Sequence, residues 1–212
     1  MELQLGKDTY QLLNDRAIFR KRDETLILAD LHLGKAQHFR KHGIYMPQQS
    51  AEKDYERLTE LIENVQPKRI ILLGDLFHSS INHEWIMFCN VLNMFKTTEF
   101  ILVLGNHDIL EKQHYQQVHL TVVKEQLVED GVIFSHHPLK EIPTGSFCIA
   151  GHMHPGVVLY GKGKQTIKLP CFHLRKNQFV LPAFGSLTGL YLIERQKEDR
   201  VFGITTNIVM EV

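Results

Sequence analysis

Cysteine is scarce in this chain: three in 212 residues, at Cys89, Cys148 and Cys171, far apart and without a Cys-x-x-Cys pair. That excludes a disulfide framework and a thiolate zinc site, and predicts reduced core thiols. Net charge is lacking as well, since 24 Lys and Arg balance 24 Asp and Glu. With no global basic field, binding of a polyanion must come from a local patch. No apolar run approaches the roughly 18 residues needed to span a bilayer, so no membrane partner is expected. The opening residues, Met-Glu-Leu-Gln-Leu-Gly-Lys-Asp, hold no apolar signal region, and a cytoplasmic protein is expected. Linkers, internal repeats and low-complexity tracts are also missing, so residues 1–212 are expected to form a single domain.

What the chain does have is histidine, 13 of them, several set in clusters with Gly and Asp. Its apolar residues are patterned in two ways. In the first half, continuous runs at 25–29, 70–73 and 100–104 predict buried strands. Between them, residues 50–65 carry Tyr55, Leu58, Leu61, Ile62 and Val65 at helical spacing, with Glu52 and Asp54 in the first turn. Residues 82–96 predict a second helix capped by Asn82, with Trp85, Met87, Phe88 and Met94 in the core. This β-α-β-α-β order belongs to a parallel sheet with crossover helices. Before it, residues 2–20 predict short strands with a turn at Asn14 and Asp15. The second half reads as strands at 118–127, 131–134, 147–150, 157–160, 166–169, 178–181, 190–194 and 201–205. Residues 161–164 and 196–200 predict hairpin tips. A helical-parallel half followed by a strand-rich half predicts two packed sheets with helices outside, an α/β fold.

Five polar clusters follow apolar runs and so belong at strand ends, where open α/β sheets place ligands. They are Asp30-Leu31-His32, Gly74-Asp75, Gly105-Asn106-His107-Asp108, Ser135-His136-His137-Pro138 and Gly151-His152-Met153-His154. Together they offer carboxylates, an amide oxygen and imidazoles, with no thiolate. Mixed oxygen and nitrogen donors suit Mn²⁺, Fe²⁺ or Zn²⁺ rather than a calcium cage. In Asp30-x-His32 and His152-x-His154, an extended backbone would point both side chains the same way. The adjacent His136 and His137 would then point to opposite sides. His83, His114, His119 and His173 are expected to be structural.

The order of these clusters resembles the calcineurin-like metallophosphoesterases, whose signature is D-x-H, G-D, G-N-H-D/E, H and G-H-x-H. All five blocks occur between Asp30 and His154. The chain is similar, more closely, to the bacterial DNA ligase-associated metallophosphoesterases, a group of DNA damage response endonucleases. That likeness rests on residues 30–44, 74–79, 135–139, 151–155 and 182–189.

The resemblance implies a four-layer α-β-β-α sandwich of two packed mixed sheets flanked by helices. It implies two divalent metal ions, manganese first and iron(II) or zinc as alternatives. Asp30, His32 and His154 would hold one; Asn106, His136 and His152 the other; Asp75 would bridge them. The pattern His-x-Pro favours His136 over His137 as ligand. His107 would meet the phosphate and protonate the leaving oxygen, oriented by Asp108. A hydroxide shared by the metals would attack phosphorus. Lys35, His38, Arg40, Lys41 and His42 form a basic cluster that is either a solvated charged loop or a patch holding phosphates beside the scissile one, and His78 would support a ligand or touch substrate. Residues 182–189 are either a glycine-rich turn or a wall of the cleft. The expected function is a phosphodiesterase, a DNA repair endonuclease, with DNA as substrate and a DNA ligase or helicase as possible partner. Two other readings compete. A nucleotide-linked pyrophosphatase would carry Arg in place of His107 and a helical insertion before His136. A non-catalytic metal-bound scaffold would have no use for His107.

Overall fold

The computed structural model describes residues 1–35, 43, 49–77 and 81–212. Strands β1 (Glu2–Leu5), β2 (Asp8–Leu13), β3 (Ala17–Arg20) and β4 (Thr25–Ala29) run antiparallel to one another in turn. Helix α1 (Gln49–Val65), strand β5 (Arg69–Leu73), helix α2 (His83–Met94) and strand β6 (Glu99–Val103) follow. A short helix α3 (Lys112–Gln116) leads into β7 (Leu120–Val123). The first sheet has the order β1-β2-β3-β4-β5-β6-β7, and β4 to β7 are parallel. The chain then changes sheet. Strands β8 (Gln126–Glu129), β9 (Val132–Ser135), β10 (Phe147–Ala150), β11 (Pro155–Tyr160), β12 (Thr166–Arg175), β13 (Gln178–Val180) and β14 (Tyr191–Leu192) join β15 (Arg200–Ile204) and β16 (Val209–Glu211). Their order is β14-β11-β12-β13-β10-β9-β8, with β15 pairing both β12 and β16.

Alternation along the central strands explains the layering. Leu26, Leu28, Ile70, Leu72 and Leu102 face one way and pack with Tyr55, Leu58, Leu61 and Ile62 of α1 and Trp85 and Phe88 of α2. Ile27, Ala29, Ile71, Leu73 and Val103 face the other way and meet Phe134, Ile149, Phe172, Phe179 and Phe202 of the second sheet. The expected two-sheet sandwich is therefore present. Among the described residues its α-helices all lie on the outer face of the first sheet. No described helix is long and apolar enough to cross a membrane.

Several elements differ from the sequence reading. The run 118–127 is two strands in two different sheets, β7 and β8. Helix α3 and strand β16 had no expectation at all. Met94, expected in the core, is 60% exposed at the end of α2. Residues 161–164 do close the β11–β12 hairpin, but 196–200 is no hairpin tip, because β14 and β15 are not neighbours. Asn82 caps α2 as expected, accepting from Glu84 N (2.8 Å) and Trp85 N (3.3 Å).

Candidate metal centre

The parallel strands β4, β5 and β6 end together, and so do β9 and β10 of the facing sheet. The five polar clusters are thereby delivered to one edge of the sandwich. Backbone hydrogen bonds stitch the loops. Asp30 N donates to Gly74 O (3.1 Å), His32 N to Asp75 O (2.8 Å) and Gly151 N to His136 O (3.0 Å). His152 N donates to Asp30 Oδ2 (2.7 Å), joining the two sheets directly.

The side chains converge, but not through an extended backbone. Asp30, His32, Asp75, His152 and His154 all have φ between +47° and +69°, the left-handed region. Non-glycine residues enter it at a cost of roughly 1–2 kcal/mol each, and such strain gathers at functional sites. Opposite pointing at His136 and His137 is also overturned. Strand β9 stops at Ser135, the chain bends, and the two rings lie 4.6 Å apart, with His137 4.1 Å from the His152 ring. His136 is buried and His137 exposed.

Among the described residues, three sets each have ligand atoms within 4.8 Å of one another: Asp30, His32, His154; Asp30, Asp75, His136; and His136, His137, His152. His32 Nε2 and His154 Nε2 are 3.3 Å apart, and His152 Nδ1 and His136 Nε2 3.1 Å. Asn106 Oδ1 lies 3.1 Å from His136 Nε2. His136 Nδ1 sits 3.0 Å from Leu73 O, so it donates there and leaves Nε2 as the free lone pair, the usual outer partner of a ligating imidazole. Burial, then the neighbouring imidazoles, lower the pKa of His137 and of His152, favouring the neutral form that binds metals. Asp30 and Asp75 are buried carboxylates, and Asp30 Oδ1 has no hydrogen-bond partner among the described residues. Two buried anions, an orphaned oxygen and imidazole nitrogens at these separations fit divalent cations.

Asp108 is aimed at the backbone. Its Oδ1 accepts from Leu76 N (2.8 Å) and Phe77 N (3.2 Å), and Oδ2 from Gly105 N (2.8 Å). A carboxylate offers about four acceptor positions, so one remains after these three bonds. Burial pushes its pKa up to about 6 against these bonds. His107 N donates to Asp75 Oδ1 (2.9 Å), and the His107 ring lies 5.9 Å from that of His32. Lys35 is half-buried at the same edge; burial lowers its pKa, and Asp75 and Asp30 oppose that. His38, Arg40, Lys41, His42 and His78 lie outside the described residues.

Three supporting groups escaped the sequence reading. Glu84, buried on α2, accepts from Gly34 N (2.7 Å). Asp54 of α1 accepts from Ser186 N and Oγ, both at 2.9 Å, and Arg57 lies over the Phe184 ring and donates to Phe184 O. The segment they hold is sewn to the Asp30 loop by Phe184 N to Ala29 O (2.8 Å) and Gly185 N to Asp30 O (3.1 Å). Nothing in their spacing separates them from ordinary charged helix residues.

The calcineurin-like phosphoesterase family model matches residues 24–195. The crystal structure of Pseudomonas putida nuclease MPE is similar at a TM-score of 0.85 and 26% identity, covering 100% of this chain and 99% of that one. The protein of unknown function AQ665 from Aquifex aeolicus is more distant, at a TM-score of 0.41 and 15% identity over 66% of this chain and 81% of that one. No curated protein sequence matches. The matched span holds every side chain gathered at the sandwich edge, and by that match the chain belongs to the calcineurin-like phosphoesterases, metal-dependent hydrolases of phosphoric esters.

Proposed function

We propose that this chain is a two-metal phosphodiesterase that cuts DNA, a repair endonuclease. One observation carries the two-metal part. The Asp75 carboxylate has Oδ2 3.8 Å from His32 Nε2 and Oδ1 3.5 Å from His136 Nε2, one oxygen toward each group of imidazoles. In this reading Asp30, His32 and His154 hold one ion, and Asn106, His136 and His152 the other, with Asp75 between. His137, exposed at the rim, stands beside the second set. The oxygen and nitrogen donors favour manganese, with iron(II) or zinc as alternatives. Bound divalent ions draw charge from phosphoryl oxygens and lower the pKa of water.

The chain's own groups do the rest. His107 follows Asn106 in the chain, its backbone N–H on Asp75 Oδ1, and in this reading its imidazole donates a proton to the departing oxygen of the ester. Asp108 fixes the β6 loop through Gly105 and the β5 loop through Leu76 and Phe77, so the imidazole is held in register with Asp75. The nuclease likeness supports a nucleic-acid substrate, and a cytoplasmic repair setting with a DNA ligase or helicase as partner is its extension.

The test is direct. With Mn²⁺ the protein should hydrolyse bis(p-nitrophenyl) phosphate and nick plasmid DNA. Inactivity on the small diester with each of Mn²⁺, Fe²⁺, Co²⁺ and Zn²⁺ would sink the phosphodiesterase reading. Cleavage confined to nucleotide pyrophosphates would sink the DNA reading alone.

A further inference from the structure

A cavity of about 440 Å³ lies on the second sheet, walled in part by segments that carry candidate ligands. Its wall includes Met153, which lies between His152 and His154, and Pro138, which follows His137. Tyr191 stands at its mouth, 58% exposed, and its backbone N–H donates to His154 O at 3.0 Å. A platform and a candidate ligand are thus tied together. In the cavity His173 is buried, with Nε2 3.0 Å from Asp199 Oδ2, which also pairs with Arg175 at 2.8 Å. Gln178 Oε1 accepts from Leu139 N (2.7 Å), leaving its amide N–H₂ as a donor.

The charges decide what fits. Arg175 and Asp199 cancel, and the other charged residues of the wall, Glu194 and Arg195, are one of each sign. A neutral cavity has no reason to take a second phosphate. An aromatic platform, a thioether and a few fixed hydrogen-bonding groups suit a flat, neutral heterocycle. We propose that this cavity receives the nucleobase flanking the scissile phosphate, its ring on Tyr191 and its polar edge toward Gln178 and His173. The proposal rests on the phosphodiester reading of the metal centre and adds a subsite to it.

Two esters with the same leaving group isolate the subsite: thymidine 5′-(p-nitrophenyl phosphate) and methyl p-nitrophenyl phosphate. With the Mn²⁺-loaded protein, Tyr191→Ala should raise KM for the thymidine ester by about 5- to 150-fold, the span of base–aromatic stacking. Tyr191→Phe should restore it, and kcat/KM for the methyl ester should stay within twofold in both variants. Independently, an oligodeoxynucleotide carrying 5-iodouracil, irradiated with the wild-type protein in chelator, should cross-link to Tyr191 or Met153. An unchanged KM in Tyr191→Ala, or an adduct confined to residues outside the cavity, overturns the proposal. Inactivity of the wild type on the methyl ester would instead count against the phosphodiester reading, and the cross-link would still report on the cavity.

Discussion

Gly74 illustrates how tightly single residues are specified. It has φ +74°, and a methyl group there would lie 2.3 Å from His136 Nδ1 and 2.8 Å from Gly105 Cα. Gly74→Ala should therefore displace the His136 ring or the β6 loop and cut bound Mn²⁺ per chain severalfold, measured by elemental analysis; full loading would show that the loops can give. His107→Ala should behave in the opposite way. Its metal content should match the wild type, while turnover of DNA falls by about 10²- to 10⁴-fold, the span of general acid catalysis. Esters with p-nitrophenolate, which leaves without a proton, should suffer less. Metal loss in parallel with activity would remove the proton-donor role. The candidate ligands were legible in the sequence because each follows an apolar run and the run must end at an edge. Their left-handed backbone was not legible, since Asp and His are only modestly tolerant of it and nothing local announces it. The side taken by His137 has a different cause: strand alternation ends with β9 at Ser135, and the chain bends before the two histidines.

At the scale of elements, the central β-α-β-α-β unit could be read because its runs are buried on both faces and its helices are long enough to show a period. Helix α3 could not, having five residues, of which Tyr115 is buried. The 118–127 run failed differently, because the composition is strand-like throughout and only tertiary pairing puts Val123 and Gln126 in different sheets. The clamp of α1 on residues 182–189 belongs to this scale too. Gly185 packs so closely on the Asp30 loop that a methyl would lie 2.3 Å from Leu31 O. Asp54→Ala removes the acceptor of Ser186 N and Oγ, and Mn²⁺ affinity should fall about 10-fold or more, as for other outer supports of metal ligands. Titrating metal into the apo variant checks this, and wild-type affinity would leave the clamp a purely structural role. The β12–β15 pairing carries a pH-dependent element. Arg175, then Gln196 N–H and His173, hold the Asp199 carboxyl far below the ordinary carboxylate range against the opposing effect of burial. A depressed folded-state pKa stabilises the fold above the unfolded value of about 4 and loses that contribution as pH falls below it. Asp199→Asn should thus cost about 2–3 kcal/mol at pH 7, with the gap to wild type narrowing in urea melts at pH 3. A gap that stays constant between the two would contradict the ionised pair.

For the whole molecule, the two sheets are joined at both ends by polar groups, with the apolar layer between. At the starts of the central strands, Arg20 is fully buried and binds Asp23 (2.7 Å) and Glu129 (3.2 Å), and Arg69 reaches the same Glu129 (2.7 Å). Glu129 belongs to the second sheet and both arginines to the first. At the opposite ends, Asp30, His32, Asp75 and Asn106 come from the first sheet, and His136, His152 and His154 from the second. A sequence halved between helical and strand-rich patterns was enough to expect two sheets. It was not enough to place β15 beside β12, a pairing of residues far apart in the chain. The consequence concerns stability. Arg20 and Arg69 neutralise their end permanently, whereas the buried Asp30 and Asp75 repel each other until cations arrive. Metal should therefore act as a cross-link between sheets, strengthening the folded state by about 2.7 kcal/mol for each ion present at 100 times its Kd. For a chain of this size that corresponds to a rise in Tm of roughly 10–20 °C when both sites fill. Differential scanning calorimetry of chelator-treated protein against increasing Mn²⁺ should show one transition that climbs with metal. Asp75→Asn, having lost the shared carboxylate, should climb much less. A wild-type Tm indifferent to millimolar Mn²⁺ would mean that the sheets are held by the apolar layer and the Arg20 network alone, and that the imidazoles meet without a cation between them.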